Sequence, residues 1–228
     1  MIEGPPISPR RPKRFDLIVF DWDGTLVDST AIIAQALQSA CRDLGEPVPD
    51  DIAARFVIGL GLADTFALIA PQLAVHRHEH LRARYRHHYL ARDAEVPLFP
   101  GARELLDELA AAGHQLAIAT GKSRVGLDRS LLAHRLVERF GATRCADEGR
   151  PKPDPQMLNH LMARFGIAPE RTLMIGDTTH DIELAHAAGA SAVGVAYGAH
   201  PFDGLVSARP LAIVHSMTEL RAWLFEHA

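Results

Sequence analysis

The chain has 228 residues, 47% of them hydrophobic, which is enough for one large domain or for a domain carrying an insertion. Lys and Arg number 24 against 28 Asp and Glu, a net charge of −4, which removes any global case for a nucleic-acid partner. Two distant cysteines, Cys41 and Cys145, exclude a disulfide framework and a cysteine-based metal motif, and read as reduced thiols of a cytoplasmic protein.

Residues 1–14, MIEGPPISPRRPKR, are rich in Pro and Arg and lack an apolar core. They read as a disordered tail rather than a signal peptide or membrane anchor. No apolar run in the chain is long enough to span a bilayer. The first strand follows at Leu17-Ile18-Val19-Phe20, and it runs directly into Asp21-Trp22-Asp23-Gly24. Two carboxylates thus stand where a buried strand ends in a glycine turn. Such charges are costly to hold unless something cationic meets them. Trp22 alternates away from both and packs beneath the loop.

Ser29 or Thr30 can cap a helix with apolar positions Ile33, Ala36, Leu37, Ala40 and Leu44, ended by Gly45. Further helical pieces run to about Arg92, interrupted by Ile58-Gly59-Leu60-Gly61 and by Pro71, with no strand signal. From Gly101 the pattern changes. A helix over Ala102–Ala112 precedes a strand at Gln115–Ala119. After a mixed region, a helix from Pro155 to Phe165 precedes a strand at Thr172–Ile175. A helix over Asp181–Ala188 precedes a strand at Ala192–Ala196. A last strand, Leu211–Val214, precedes a helix opened by Ser216 with Glu219, a capping box. Alternation of this kind predicts a doubly wound, Rossmann-like parallel sheet. The expected organisation is an α/β core over 15–27 and 98–228, with an inserted all-helical cap over 28–97.

Four loops at strand ends or leading into helices carry polar groups: Asp21 and Asp23; Thr120-Gly121-Lys122-Ser123; Lys152 in Gly149-Arg150-Pro151-Lys152-Pro153-Asp154-Pro155; and Asp177 to Asp181. Each has an ordinary explanation alone. Asp-x-Asp-Gly can be a turn, Lys152 a surface lysine, and Asp177 or Asp181 a helix cap. Together they match what a phosphate ester needs. Asp21 can attack phosphorus, and Asp23 can protonate the leaving oxygen and later take a proton from water. Asp21 and Asp177 offer hard oxygens for Mg²⁺, and Lys152 adds a fixed positive charge. The Thr120 hydroxyl and the N–H groups of Gly121 and Lys122 can cradle phosphoryl oxygens.

The set and its order resemble the haloacid dehalogenase superfamily of phosphatases, in its phosphoglycolate phosphatase-like branch. The resemblance runs through DWDGTLVDS, Thr120 of ATGKS, Lys152 of GRPKPDP, and GDTTHDIELAHAAGA from Gly176 to Ala190. It implies Asp21 as nucleophile and metal ligand, and Asp23 as acid/base and a ligand through its backbone carbonyl. It further implies Thr120 and Lys152 on nucleophile and phosphate, Asp177 on Mg²⁺, and Asp181 supporting the metal shell. Dehalogenases and phosphonate-cleaving members of the superfamily lack an acid at the position of Asp23, and the latter use a cap lysine. The stretch Asp28–Pro97 contains no lysine. A phosphomonoester substrate therefore fits better. A sugar phosphomutase and a catalytically silent binding protein remain as alternatives.

In the cap, Gly59 and Gly61 can let the Ile58–Leu62 loop approach the site, or can simply turn between helices. Arg55 nearby can meet a second anionic group of the substrate, or can be solvated. His76 and His80 have a zinc-compatible spacing, but a solvated basic face accounts for them. Arg82, Arg84 and Arg86 on that face can attract anionic substrates. The expected partner is a small phosphate ester, with no nucleic acid and no membrane. A monomer or a homodimer is left open.

Overall fold

The computed structural model describes residues 13–93 and 96–228. Most of the expected tail, residues 1–12, lies outside the described residues. Six parallel strands form one sheet: β1 (Leu17–Phe20), β2 (Gln115–Thr120), β3 (Ala142–Cys145), β4 (Thr172–Gly176), β5 (Ser191–Val195) and β6 (Ala212–Val214). Their order is β3-β2-β1-β4-β5-β6. The chain therefore winds outward from β1 in both directions, the doubly wound arrangement that opens a crevice where the order reverses. Here that switch point lies between β1 and β4.

The β1 run is continuously apolar because the sheet is covered on both faces. Ile18 and Phe20 join one core with Leu105, Leu106, Leu127, Leu131 and Leu220. These come from α5 (Ala102–Ala111), α6 (Arg124–Ala133) and α10 (Met217–His227). Leu17 and Val19 point the other way, against Met157, Leu161, Ile182 and Leu205. Those belong to α7 (Gln156–Phe165), α8 (Thr179–Ala187) and α9 (Phe202–Ser207). Each side chain fully withdrawn from water contributes about 1.5–3 kcal/mol, so a polar residue within β1 would be expensive.

Strand β3, Ala-Thr-Arg-Cys, and helix α6 fill what the sequence presents only as a mixed region. As an edge strand, β3 is half exposed along most of its length and carries Arg144, so it lacks the apolar signature of the central strands.

Between β1 and α5 the described chain forms α1 (Thr30–Asp43), α2 (Asp51–Phe56), α3 (Leu62–Ile69) and α4 (His78–Leu90). These pack around Ile33, Leu37, Phe66, Leu81 and Tyr89, with Ala199 of the α/β layer joining them. The insertion is thus a helical cap seated on the C-terminal edge of the sheet. No helix among the described residues is long and apolar enough to cross a membrane.

Candidate active site

Asp21 directly follows β1, its backbone N–H held by the carbonyl of Ile175 at 2.8 Å. Its side chain is 1% exposed. Lys152 Nζ faces Oδ1 at 2.9 Å as an ion pair, and the Trp22 backbone N–H also favours the charged form. Burial pushes this carboxyl up to about 7; Lys152 pulls it down, and the charge of Asp181 adds to the rise.

Lys152 comes from the loop before α7 and is also 1% exposed. Its ammonium bridges Asp21 and Asp181 Oδ1, the latter at 2.6 Å. Burial alone would lower its pKa, but the charges of Asp181 and Asp21 outweigh it and hold the value above the usual lysine range. The other Asp181 oxygen accepts from the Thr178 hydroxyl at 2.7 Å and the Thr178 N–H at 3.1 Å. With both oxygens engaged, Asp181 orients Lys152 and the start of α8.

Asp177 follows β4, across the switch point from Asp21. Its Oδ1 accepts from the Thr25 hydroxyl at 2.8 Å and its Oδ2 from the Ala199 N–H at 2.7 Å. Burial, then the charges of Asp21 and Asp181, raise its pKa well above the ordinary value. Two backbones close over it. A Cβ at Gly24 or at Gly198 would stand 2.2 Å from Asp177 atoms, and Gly24 also has φ +84°. Only glycine satisfies both demands at position 24.

Asp23 is 7% exposed. Ser29 Oγ donates to its Oδ1 at 2.8 Å, and Lys122 Nζ lies 3.0 Å from each carboxylate oxygen. Thr120 ends β2 at the same edge, and its hydroxyl oxygen accepts the Lys122 N–H at 3.2 Å. That leaves the Thr120 hydroxyl proton available for an anion. The Lys122 N–H, expected in a phosphate cradle, is already engaged here.

Carboxylate oxygens of Asp21, Asp177 and Asp181 lie within 4.8 Å of one another, all buried. Of these three buried acids, Asp21 and Asp181 pair with the single Lys152 ammonium, so the group holds more acidic oxygens than nearby positive charge. A hard divalent cation fits such a group, since it would neutralise the crowding of these oxygens.

Beside this group a cavity of about 120 Å³ separates the sheet edge from the cap. Asp21, Asp23, Thr120, Gly121 and Lys122 form its floor, and aliphatic side chains such as Ile33, Leu37 and Val57 form its roof. Gly59 lines it with Ile58 and Leu60. Gly61 does not; a Cβ there would meet Pro151 at 3.3 Å, so this glycine seats the cap on the Lys152 loop. Arg55 is also no part of the lining. Its guanidinium binds Asp51 at 2.9 Å and Thr30 at 3.1 Å, which corrects its expected place at the substrate. On α4, Arg84 and His88 share Asp43 and Arg82 pairs with Glu79, while Arg86 lies exposed at the cavity. The group of acids around Asp21 is the only candidate metal cluster among the described residues, and neither His76 nor His80 belongs to it.

Sequence reasoning missed four contributors. Ser29 stands at the cap position of α1 but makes no capping bond; its hydroxyl turns to Asp23 instead. Thr25 and the loop at Gly198-Ala199 serve Asp177, and only their glycines offered a signal. Tyr89 lies in a stretch dominated by His and Arg, where nothing marks it out.

The family model for haloacid dehalogenase-like hydrolases matches residues 18–195. The chain belongs to the haloacid dehalogenase-like hydrolases. Within this family, the chain is 38% identical over 210 residues to a protein of Dickeya dadantii named probable phosphatase IndB, covering 90% of this chain and 91% of that one. It is 34% identical over 209 residues to a Mycobacterium bovis protein named tyrosine-protein kinase PtkA, covering 90% and 71%. Among solved structures it resembles a predicted phosphoglycolate phosphatase from Haemophilus somnus, with a TM-score of 0.78, 25% identity, and 91% and 97% covered. As a haloacid dehalogenase-like hydrolase of the phosphoglycolate phosphatase-like branch, the chain is a phosphatase enzyme.

Proposed function

We propose that the protein is a Mg²⁺-dependent phosphatase of a small phosphomonoester, working through an aspartyl-phosphate on Asp21. The observation that carries this is the Asp21 carboxylate, buried at the end of β1, with the Lys152 ammonium 2.9 Å from Oδ1 and carboxylate oxygens of Asp177 and Asp181 within 4.8 Å. A buried carboxylate beside a fixed ammonium and a group of acids able to hold a cation is an available nucleophile.

In this reading Thr120 and Lys152 hold phosphoryl oxygens as charge shifts toward the leaving group. Asp21 attacks phosphorus and takes the PO₃ unit. Asp23 gives its proton to the departing alkoxide, then accepts one from the water that cleaves the acyl phosphate. Asp177 and Asp21, with the Asp23 carbonyl, are the metal ligands, and Asp181 acts by fixing Lys152. The metal supplies neutralisation of the phosphate charge among these acids. The helices over 28–97 act as a cap that shields the reaction from water. The small, largely aliphatic cavity suits a compact ester such as 2-phosphoglycolate or a sugar phosphate.

The test is phosphate release across a panel of phosphorylated metabolites, with Mg²⁺ and with EDTA, followed by borohydride trapping of the acyl phosphate. Activity lost in EDTA and a homoserine at position 21 are expected. A correctly folded Asp21→Asn protein that still turns over its best ester would overturn the reading.

A further inference from the structure

Lys122 is the second lysine of the site, largely withdrawn from solvent with its side chain 9% exposed, and the proposed reaction assigns that side chain no task. Three features put it where it is. Gly126, in the first turn of α6, leaves room for its stem; a Cβ there would meet Lys122 Cγ at 3.1 Å. Gly121 before it lets the cap loop come down onto the backbone. The Nζ group then contacts both oxygens of Asp23 and, at 3.0 Å, the hydroxyl oxygen of Tyr89. Tyr89 belongs to α4, so this ammonium joins the core to the cap.

Burial, the largest single effect, would lower the Lys122 pKa, but the charge and hydrogen bond of Asp23 with the further acidic groups around it together outweigh it and keep the lysine cationic. The Tyr89 phenol is held protonated by burial and by the charges of Asp23 and Asp93. The second hydrogen bond to Asp23 comes from Ser29, which stands at the start of α1. Both donors fixing Asp23 therefore depend on the cap being seated: Ser29 through its own helix, Lys122 through Tyr89.

We propose that Lys122 and Tyr89 are positioning residues that align Asp23 toward the leaving oxygen when the cap closes. The inference rests on the reaction proposed above. In the step concerned, Asp23 first takes up a proton from solvent as the anionic ester binds; the bond between phosphorus and the ester oxygen then breaks, the phosphoryl group passes to Asp21, and that proton passes from Asp23 to the departing oxygen. A nitrophenolate leaves without that proton, whereas a simple alkoxide needs it. Loss of alignment at Asp23 should therefore be felt only with the poor leaving group. A phosphate-binding role for Lys122 would be felt with both, since the phosphoryl group is the same.

The experiment compares kcat for an alkyl phosphate and for 4-nitrophenyl phosphate in the full-length enzyme, its Lys122→Met and Tyr89→Phe variants, and Asp23→Asn. General acids contribute about 10²–10⁴-fold, so Lys122→Met should lose at least about tenfold on the alkyl ester and less than about threefold on the nitrophenyl ester. Tyr89→Phe, a near-isosteric change that keeps the lysine paired, should show the same selectivity in weaker form. Asp23→Asn fixes the full size of the effect. Equal losses on both esters, or no loss on either, in both variants would overturn the proposal while leaving the phosphatase reading intact. A wild-type enzyme inactive on every ester would instead remove the reading beneath it.

Discussion

The carbonyl oxygen of Gly59 stands where a Cβ at position 121 would come within 2.4 Å of it, with the Leu60 carbonyl at 2.6 Å. The cap loop therefore rests on the bare backbone after β2. Both obstacles are main-chain atoms, which cannot swing aside as a side-chain tip would. Gly121→Ala should lift the Gly59 loop off the cavity floor. Misplacement of about 1 Å near a reacting centre can cost about 10²-fold, which is the drop in kcat/KM expected here. The α/β core should melt nearly as before. Gly61→Ala, whose Cβ would stand 3.3 Å from Pro151, should be much milder. Steady-state kinetics on both variants checks the contrast; equal effects would contradict it.

Asp21 sets a pH dependence of stability whose sign is fixed. In the unfolded chain its carboxyl titrates near 3.8, and in the folded protein burial raises this to about 7. Below 3.8 both states are protonated and the contribution is fully present. Between the two values the unfolded chain gives up a proton that the folded protein keeps. Stability is thus lost as pH rises through the window, at about 1.4 kcal/mol per pH unit for such a group. Asp177, also raised by burial, acts in the same direction. A divalent cation binds the ionised form, so its stabilising effect should grow over the same range. Melting temperatures in EDTA and in Mg²⁺ should diverge between about pH 5 and pH 8. Asp21→Asn should raise the EDTA curve at pH 8. A gap independent of pH would exclude this account.

Arg55→Ala separates what the sequence suggested from what the fold builds. The guanidinium is tied to Asp51 and Thr30 and does not line the cavity, so kcat/KM should stay within about twofold. A large rise in KM for an anionic substrate would return Arg55 to the site.

The legible parts of this protein are those where covalent order already implies geometry. Leu17–Phe20 running into Asp21 reads as a buried strand with an acid at its end, and Asp177 after Thr172–Gly176 repeats the pattern across the switch point. Lys152 could be read because the motif order carried it. Edge strand β3 could not, since half-exposed Ala-Thr-Arg resembles a loop. Ser29 was legible as a cap yet turns to Asp23, because the buried carboxylate competes for its hydroxyl more strongly than the helix N-terminus does. Tyr89 and the Lys122 side chain meet only through the packing of α4 over β2, a long-range contact that no local pattern encodes.

Trp22 stands between the two acids in sequence but on the opposite side of the loop, fully buried. Its indole N–H donates to Ser130 Oγ at 3.0 Å, and its ring packs against Phe140 with centroids 6.3 Å apart. It thus forms the floor under Asp21 and Asp23 without facing the cavity. Trp22→Phe removes the hydrogen bond and leaves a void, a combined cost of about 1–3 kcal/mol. For a chain of this size each kcal/mol lowers the melting temperature by about 2–4 °C. The surviving folded enzyme should keep its KM and lose little in kcat, because β1 and its pairing with β4 still fix the Asp21 backbone. Thermal melts and kinetics measured on the same preparation separate the two effects. A fall in kcat of about 10²-fold with an unchanged melting temperature would mean that the indole shapes the site directly, as a misplaced reacting group would.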